Sequence, residues 1–154
     1  MLEFDSKVYL LSSRFANDYP LSLYPELMYK QGRPYTCLLI ETHDDYFICV
    51  PFRSSINHKN AFLFKGTARS LKSHSGLDYS KTVIIRDSEY IDSTTPAIAD
   101  QDEYREMSKN IRILQIWFVF ITIKSCNWLI CNFSPVDSLV NRRNSTCIHL
   151  FIIF

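Results

Sequence analysis

An α+β fold, built on a compact, strongly curved antiparallel β-sheet or barrel with flanking helices, is what this sequence predicts. Three observations lead there. Apolar runs of strand length recur, separated by short polar turns. No strand–helix–strand alternation of the kind that builds parallel sheets is visible. One stretch near residue 105 has helical spacing. The 154 residues are 47% hydrophobic, enough for one packed domain and too much for a disordered chain.

Lys7–Leu11 reads as the first strand. Asn17 through Met28 is rich in Pro and Tyr and reads as a loop with a turn of helix. Tyr35–Glu41 and Tyr46–Phe52 are apolar runs either side of Thr42-His43-Asp44-Asp45, a compact polar turn, so the pair reads as an antiparallel hairpin. Ala61–Phe64 and Lys81–Ile85 are two further short strands. Asp102–Leu114 has helical propensity, with Met107, Ile111 and Leu114 on one face.

The composition changes near residue 115. Acidic residues run from Glu3 to Glu106, and only Asp137 follows. The segment from Ile111 to Phe133 is crowded with Ile, Phe, Trp and Leu, and the chain ends Ile148-His149-Leu150-Phe151-Ile152-Ile153-Phe154. Residues 1–114 are therefore read as the functional domain and 115–154 as an atypical hydrophobic tail. Three readings of the tail are open: an aberrant sequence that this fold did not evolve with, a buried helix or strand pair, or a membrane anchor over residues 113–133. Lys124 in mid-span counts against the anchor, at a cost of about 2.5–3.5 kcal/mol. The tail is expected to contribute little native packing.

Cysteine usage excludes some chemistry. Cys37, Cys49, Cys126, Cys131 and Cys147 are odd in number and form no CxxC pair, so neither a common zinc site nor a disulfide framework is indicated. Cys37 and Cys49 lie within apolar runs, where a buried free thiol is the plain reading. The start, Met-Leu-Glu-Phe-Asp, lacks the basic and apolar regions of a secretory signal, which points to a cytoplasmic location. No metal or cofactor is expected, and with three glycines there is no Gly-rich phosphate loop.

Net charge is only +1, but it is unevenly placed. Arg53, Lys59, Lys65, Arg69, Lys72, Lys81 and Arg86 share one window with a single acid, Asp78, for a local charge of +6. Such a window suits a phosphate backbone; the alternative is a solvated loop. Within it lies Arg53-Ser54-Ser55-Ile56-Asn57-His58-Lys59. His58 can act as general acid or base near neutral pH. Arg53 and Lys59 can neutralise charge on a phosphoryl oxygen, and Ser54 can orient a phosphate. RNA supplies its own nucleophile, the 2′-hydroxyl. His74, between Ser73 and Ser75, is the rival histidine. Tyr29, Tyr35 and Phe52 could stack on unpaired bases. Core packing is favoured for Phe52 and is an equal alternative for the tyrosines.

The order Tyr29-Lys-Gln-Gly-Arg33-Pro-Tyr35, Cys37-Leu-Leu-Ile-Glu41, Tyr46-Phe-Ile-Cys-Val-Pro51, Arg53-Ser54 and His58-Lys59 resembles the toxins of type III toxin–antitoxin systems, the ToxN, AbiQ, CptN and TenpN group. Ser75-Gly-Leu-Asp-Tyr-Ser-Lys81 is most similar to the TenpN type. The resemblance covers about residues 5–114. It implies a cytoplasmic, phage-defence endoribonuclease with a curved β core like that of the MazF and Kid toxins. It also implies cleavage without metal to a 2′,3′-cyclic phosphate, and inhibition by a repeated, pseudoknotted antitoxin RNA in a ring-like particle. By position, Tyr29, Arg33 and Ser54 match residues of the family pattern. Where ToxN-like members continue with lysine and an aromatic, this chain has Ile56, His58 and Lys59. The family's C-terminal helices have no match beyond about Leu114. A non-catalytic RNA-binding remnant of such a toxin is the competing expectation.

Overall fold

The computed structural model describes residues 7–40, 46–97, 100–114 and 151–153. The fold is α+β. In chain order it runs β1 (Lys7–Leu11), α1 (Ser13–Asp18), a 3-10 turn (Pro25–Leu27), β2 (Tyr35–Ile40), β3 (Tyr46–Arg53), β4 (Ala61–Leu63), α2 (Ala68–Ser73) and β5 (Gly76–Asp78). It continues with 3-10 turns at Tyr79–Lys81 and Ser88–Tyr90 flanking β6 (Val83–Ile85), then β7 (Ile91–Asp92), α3 (Gln101–Lys109) and β8 (Phe151–Ile153).

The predicted hairpin is the backbone of the sheet. β2 and β3 pair antiparallel from Tyr35 opposite Pro51 to Ile40 opposite Tyr46; the turn at Thr42–Asp45 lies outside the described residues. β1 joins β2, and β7 joins β1. On its other side β3 changes partner: Phe47–Cys49 pair with β6, and Phe52–Arg53 pair with β5, which pairs with β4. Pro51 sits at that change. The Phe52 N–H donates to the Pro34 carbonyl on the β2 side (3.0 Å). Alternation therefore turns the Pro51 nitrogen to the opposite side, where neither β6 nor β5 is paired to it, so no ladder bond is lost. Among the described residues the strand path ends at β4 and β7 without closing into a barrel.

Both faces are buried along β3, β5 and β6, which is why β3 and β6 read as unbroken apolar runs. Ile48, Val50 and Phe52 of β3, with Ile84, pack with Leu77, Phe64 and the α3 side, through Met107 and Leu114. The alternate residues Cys49, Val83 and Ile85 face Phe15 of α1, Leu27, Tyr35 and Tyr90. Cys49 is a buried free thiol. The helix predicted over Asp102–Leu114 is α3, capped by Asp100, which accepts from the N–H groups of Asp102 and Glu103 (3.0 and 3.1 Å). Helical backbone resumes at 111–114, and Met107 and Leu114 are buried on one face as the spacing predicted.

Phe151–Ile153 is the described part of the hydrophobic tail. It pairs in parallel with β6, Ile84 opposite Ile152. Its neighbours in sequence, including nearly all of the 113–133 span, lie outside the described residues. No helix among the described residues is long and apolar enough to cross a membrane.

Candidate active site

β3 ends at Arg53, and the chain then turns out through Ser54 and Ser55. Ser55 adopts φ +58°, a left-handed conformation that costs a non-glycine residue free energy. The loop is pinned to the C-terminal end of α2: the Ser55 N–H donates to the Ser73 carbonyl (2.6 Å) and the Ile56 N–H to the His74 carbonyl (3.2 Å). Ile56 is buried as the anchor. That anchoring holds His58 and Lys59 at the surface, and the loop returns to the fold where the Asn60 carbonyl accepts from the Tyr79 N–H (3.1 Å).

Asp78, at the end of β5, is the centre of the site. It is fully buried in the middle of the basic window. Arg53, only 16% exposed, donates through Nη1 to Asp78 Oδ2. Ser80 donates to Asp78 Oδ1 from its backbone N–H (2.9 Å) and its hydroxyl (2.6 Å). His58 Nε2 stands 3.4 Å from Asp78 Oδ1 and 3.4 Å from Ser80 Oγ, while the His58 side chain remains 38% exposed. A buried carboxylate needs such partners, because its desolvation is expensive otherwise. The imidazole thus has one edge against Asp78 and part of its surface in solvent.

Arg33 lies in the turn before β2. The Lys30–Arg33 turn closes with the Arg33 N–H on the Lys30 carbonyl (3.1 Å), with Gly32 at φ +72°, where glycine is favoured. Arg33 Nη1 donates to the Met28 carbonyl (2.7 Å). Burial pulls the Arg33 guanidinium below its ordinary pKa; the Arg53 charge acts the same way, and Tyr35 and Asp78 oppose it. Two arginines, His58 and one buried carboxylate are thereby brought into one electrostatic neighbourhood.

The other sequence-predicted residues are distributed differently. Ser54, Lys59, Lys65 and Lys72 are exposed. Lys81 is half-buried in the turn after Asp78. Arg69 is engaged: its Nη1 donates to Glu103 Oε2 (3.1 Å), and Glu103 also accepts from Ser75 Oγ. Tyr35 is 2% exposed and belongs to the core, so its ring is covered and offers no face to a base; Phe52 is also core. Tyr29 is half-buried, with its ring 5.7 Å from that of Phe15. His74 ends α2 at φ +47° and, with Leu63, Phe64, Lys65, Ser70 and Leu71, lines a groove of about 320 Å³.

Of the two rival histidines, His58 is the one that faces Asp78. Sequence reasoning missed Asp78 and Ser80 as site residues. The available signal was the single acid in a +6 window, with a serine two residues later able to hydrogen-bond it. Among the described residues no group of three or more His, Cys, Asp or Glu side chains could hold a metal ion. No protein-family model, curated protein or solved structure matches the chain.

Proposed function

We propose that this protein is an endoribonuclease toxin of the type III toxin–antitoxin kind, which cleaves RNA without metal. The observation that carries this reading is the placement of Arg53 and His58 against the buried Asp78, within the basic Arg53–Arg86 segment. The sequence resemblance over residues 5–114 supports the family. In this reading His58 takes the proton of the RNA 2′-hydroxyl. The 2′-oxygen then bonds to phosphorus, the bond from phosphorus to the 5′-oxygen breaks, and the departing oxygen takes up a proton from solvent water, to which His58 returns the proton it accepted. The products are a 2′,3′-cyclic phosphate and a 5′-hydroxyl, and no co-reactant is required. Lys59 and the Arg53 N–H groups not committed to Asp78 stabilise the charge on the phosphoryl oxygens, since a guanidinium has five donors. Ser54 orients the phosphate, and Lys65, Lys72, Lys81 and Arg33 guide the strand.

The rest of the reading follows from the family. The sheet belongs to a strongly curved core of the MazF and Kid kind. A repeat antitoxin RNA inhibits the enzyme in a ring-like cytoplasmic particle. Residues 1–114 carry the function.

The test is cleavage of single-stranded RNA by the purified chain. Activity is expected to survive EDTA. His58→Ala is expected to lose about 10²–10⁴-fold in rate, the usual contribution of a general acid–base group, with RNA affinity nearly unchanged. Ser54→Ala should lose less. A His58→Ala protein cleaving at the wild-type rate would remove His58 from the chemistry. A wild-type chain that binds RNA and never cuts it would favour the non-catalytic reading.

A further inference from the structure

We propose that Asp78 and Ser80 are positioning residues that fix the tautomer of His58, so that Nδ1 is the atom exchanging protons with RNA. The use of Nδ1 rests on the ribonuclease reading above; the tautomer does not.

Donors and acceptors at His58 Nε2 decide which ring nitrogen carries the proton. Among the described residues its polar neighbours are Asp78 Oδ1 and Ser80 Oγ, each at 3.4 Å. Asp78 is paired with Arg53, and an ionised carboxylate only accepts. A serine hydroxyl has one proton, and that of Ser80 is committed to Asp78 Oδ1 at 2.6 Å, a shorter and charge-assisted contact. Toward the imidazole, Ser80 Oγ therefore presents a lone pair as well. Two acceptors face Nε2, so a neutral His58 carries its proton on Nε2 and keeps the Nδ1 lone pair free.

That arrangement suits a base. The 2′-hydroxyl proton moves to Nδ1, giving an imidazolium whose Nε2–H faces the Asp78 carboxylate. The buried carboxylate then stabilises the charge just formed, as a triad aspartate does for its histidine. Arg53 takes on a second function here. By pairing with Asp78 Oδ2 it fixes the carboxylate in place, leaving Oδ1 to Ser80 and His58. The charged groups around His58 are Asp78 and Arg53, with Lys59 next in sequence.

Long-range proton–nitrogen NMR on the full-length ¹⁵N-labelled protein reads the tautomer directly. His58 is assigned from the spectrum of the His58→Gln variant, at a pH where the ring is neutral. The expected result is a protonated Nε2 and an unprotonated Nδ1. A wild-type His58 in the Nδ1–H form, or as an even mixture, would overturn the proposal without any variant being needed. Asp78→Asn and the milder Ser80→Ala extend the test. Asp78→Asn should lower kcat by about 10²-fold, the lower end of general acid–base contributions, with KM for RNA unchanged and the tautomer bias lost. Ser80→Ala should lower kcat less. Unchanged kcat in both folded variants would reject the positioning role. A wild-type chain with the expected tautomer and no RNA cleavage would uphold the tautomer assignment, overturn the ribonuclease reading and remove the role of Nδ1.

Discussion

Glu103 shows how one residue of this fold couples packing to pH. It is 1% exposed, on α3, and accepts from Ser75 Oγ and Arg69. Burial raises its carboxyl pKa above the ordinary 4.5, against the opposing effects of Ser75 and Arg69. The folded state therefore holds this proton to higher pH than the unfolded chain does. Its contribution to stability is full below the unfolded value and is lost as pH rises from about 4.5 through the folded value. Urea unfolding across this pH range should show a downward component that is absent from Glu103→Gln, whose amide oxygen can still accept from Ser75. Identical pH slopes for the two proteins would show that Glu103 is not the source.

Among the elements, β5 is one that the sequence did not mark. Gly76–Asp78 is only three residues long, yet it lies between β4 and β3 and delivers Asp78 to the site. Gly76 makes that possible. A Cβ there would overlap the Phe62 carbonyl oxygen and sit 3.0 Å from Leu63 Cα, both backbone atoms of β4. Gly76→Ala is predicted to destabilise the protein by roughly 1–3 kcal/mol, as overpacking does, read as a lower urea midpoint. A midpoint within error of wild type would mean that β4 gives way freely. β6 poses the opposite problem. Val83-Ile84-Ile85 is wholly apolar and buried, and β8 covers its far edge. A chain ended at Leu114 should lose hydrogen-exchange protection at β6 and associate, because an exposed apolar edge templates further pairing. Full protection in the shortened chain would return the tail to the role expected from sequence, of contributing little packing.

On the scale of the molecule, charge is segregated: the Arg53–Arg86 segment is strongly basic in a chain of net charge +1. Not all of that charge is available. Arg53 and Arg69 are committed to Asp78 and Glu103, whereas Lys59, Lys65 and Lys72 are exposed. Replacing those three lysines with alanine should weaken RNA binding and reduce the slope of log affinity against log salt by about 2, at roughly 0.7 per single-strand phosphate contact. An unchanged slope would move the RNA path to another face.

The sequence by itself determined the α+β class, the β2–β3 hairpin, the helical face of Met107 and Leu114, and the basic loop carrying His58. These are local properties: apolar runs, turn residues and helical spacing lie within a few residues of one another. It could not determine that β3 switches from β6 to β5 at Pro51, that both faces of the central strands are buried, or that Tyr35 is core. Nor could it place Asp78, 20 residues beyond His58, against that imidazole rather than against His74. Only tertiary structure decides such pairings, because they depend on strand order and register. Residues far apart in the chain meet where the sheet brings them together, and a charge is paired or free according to which acid that places beside it.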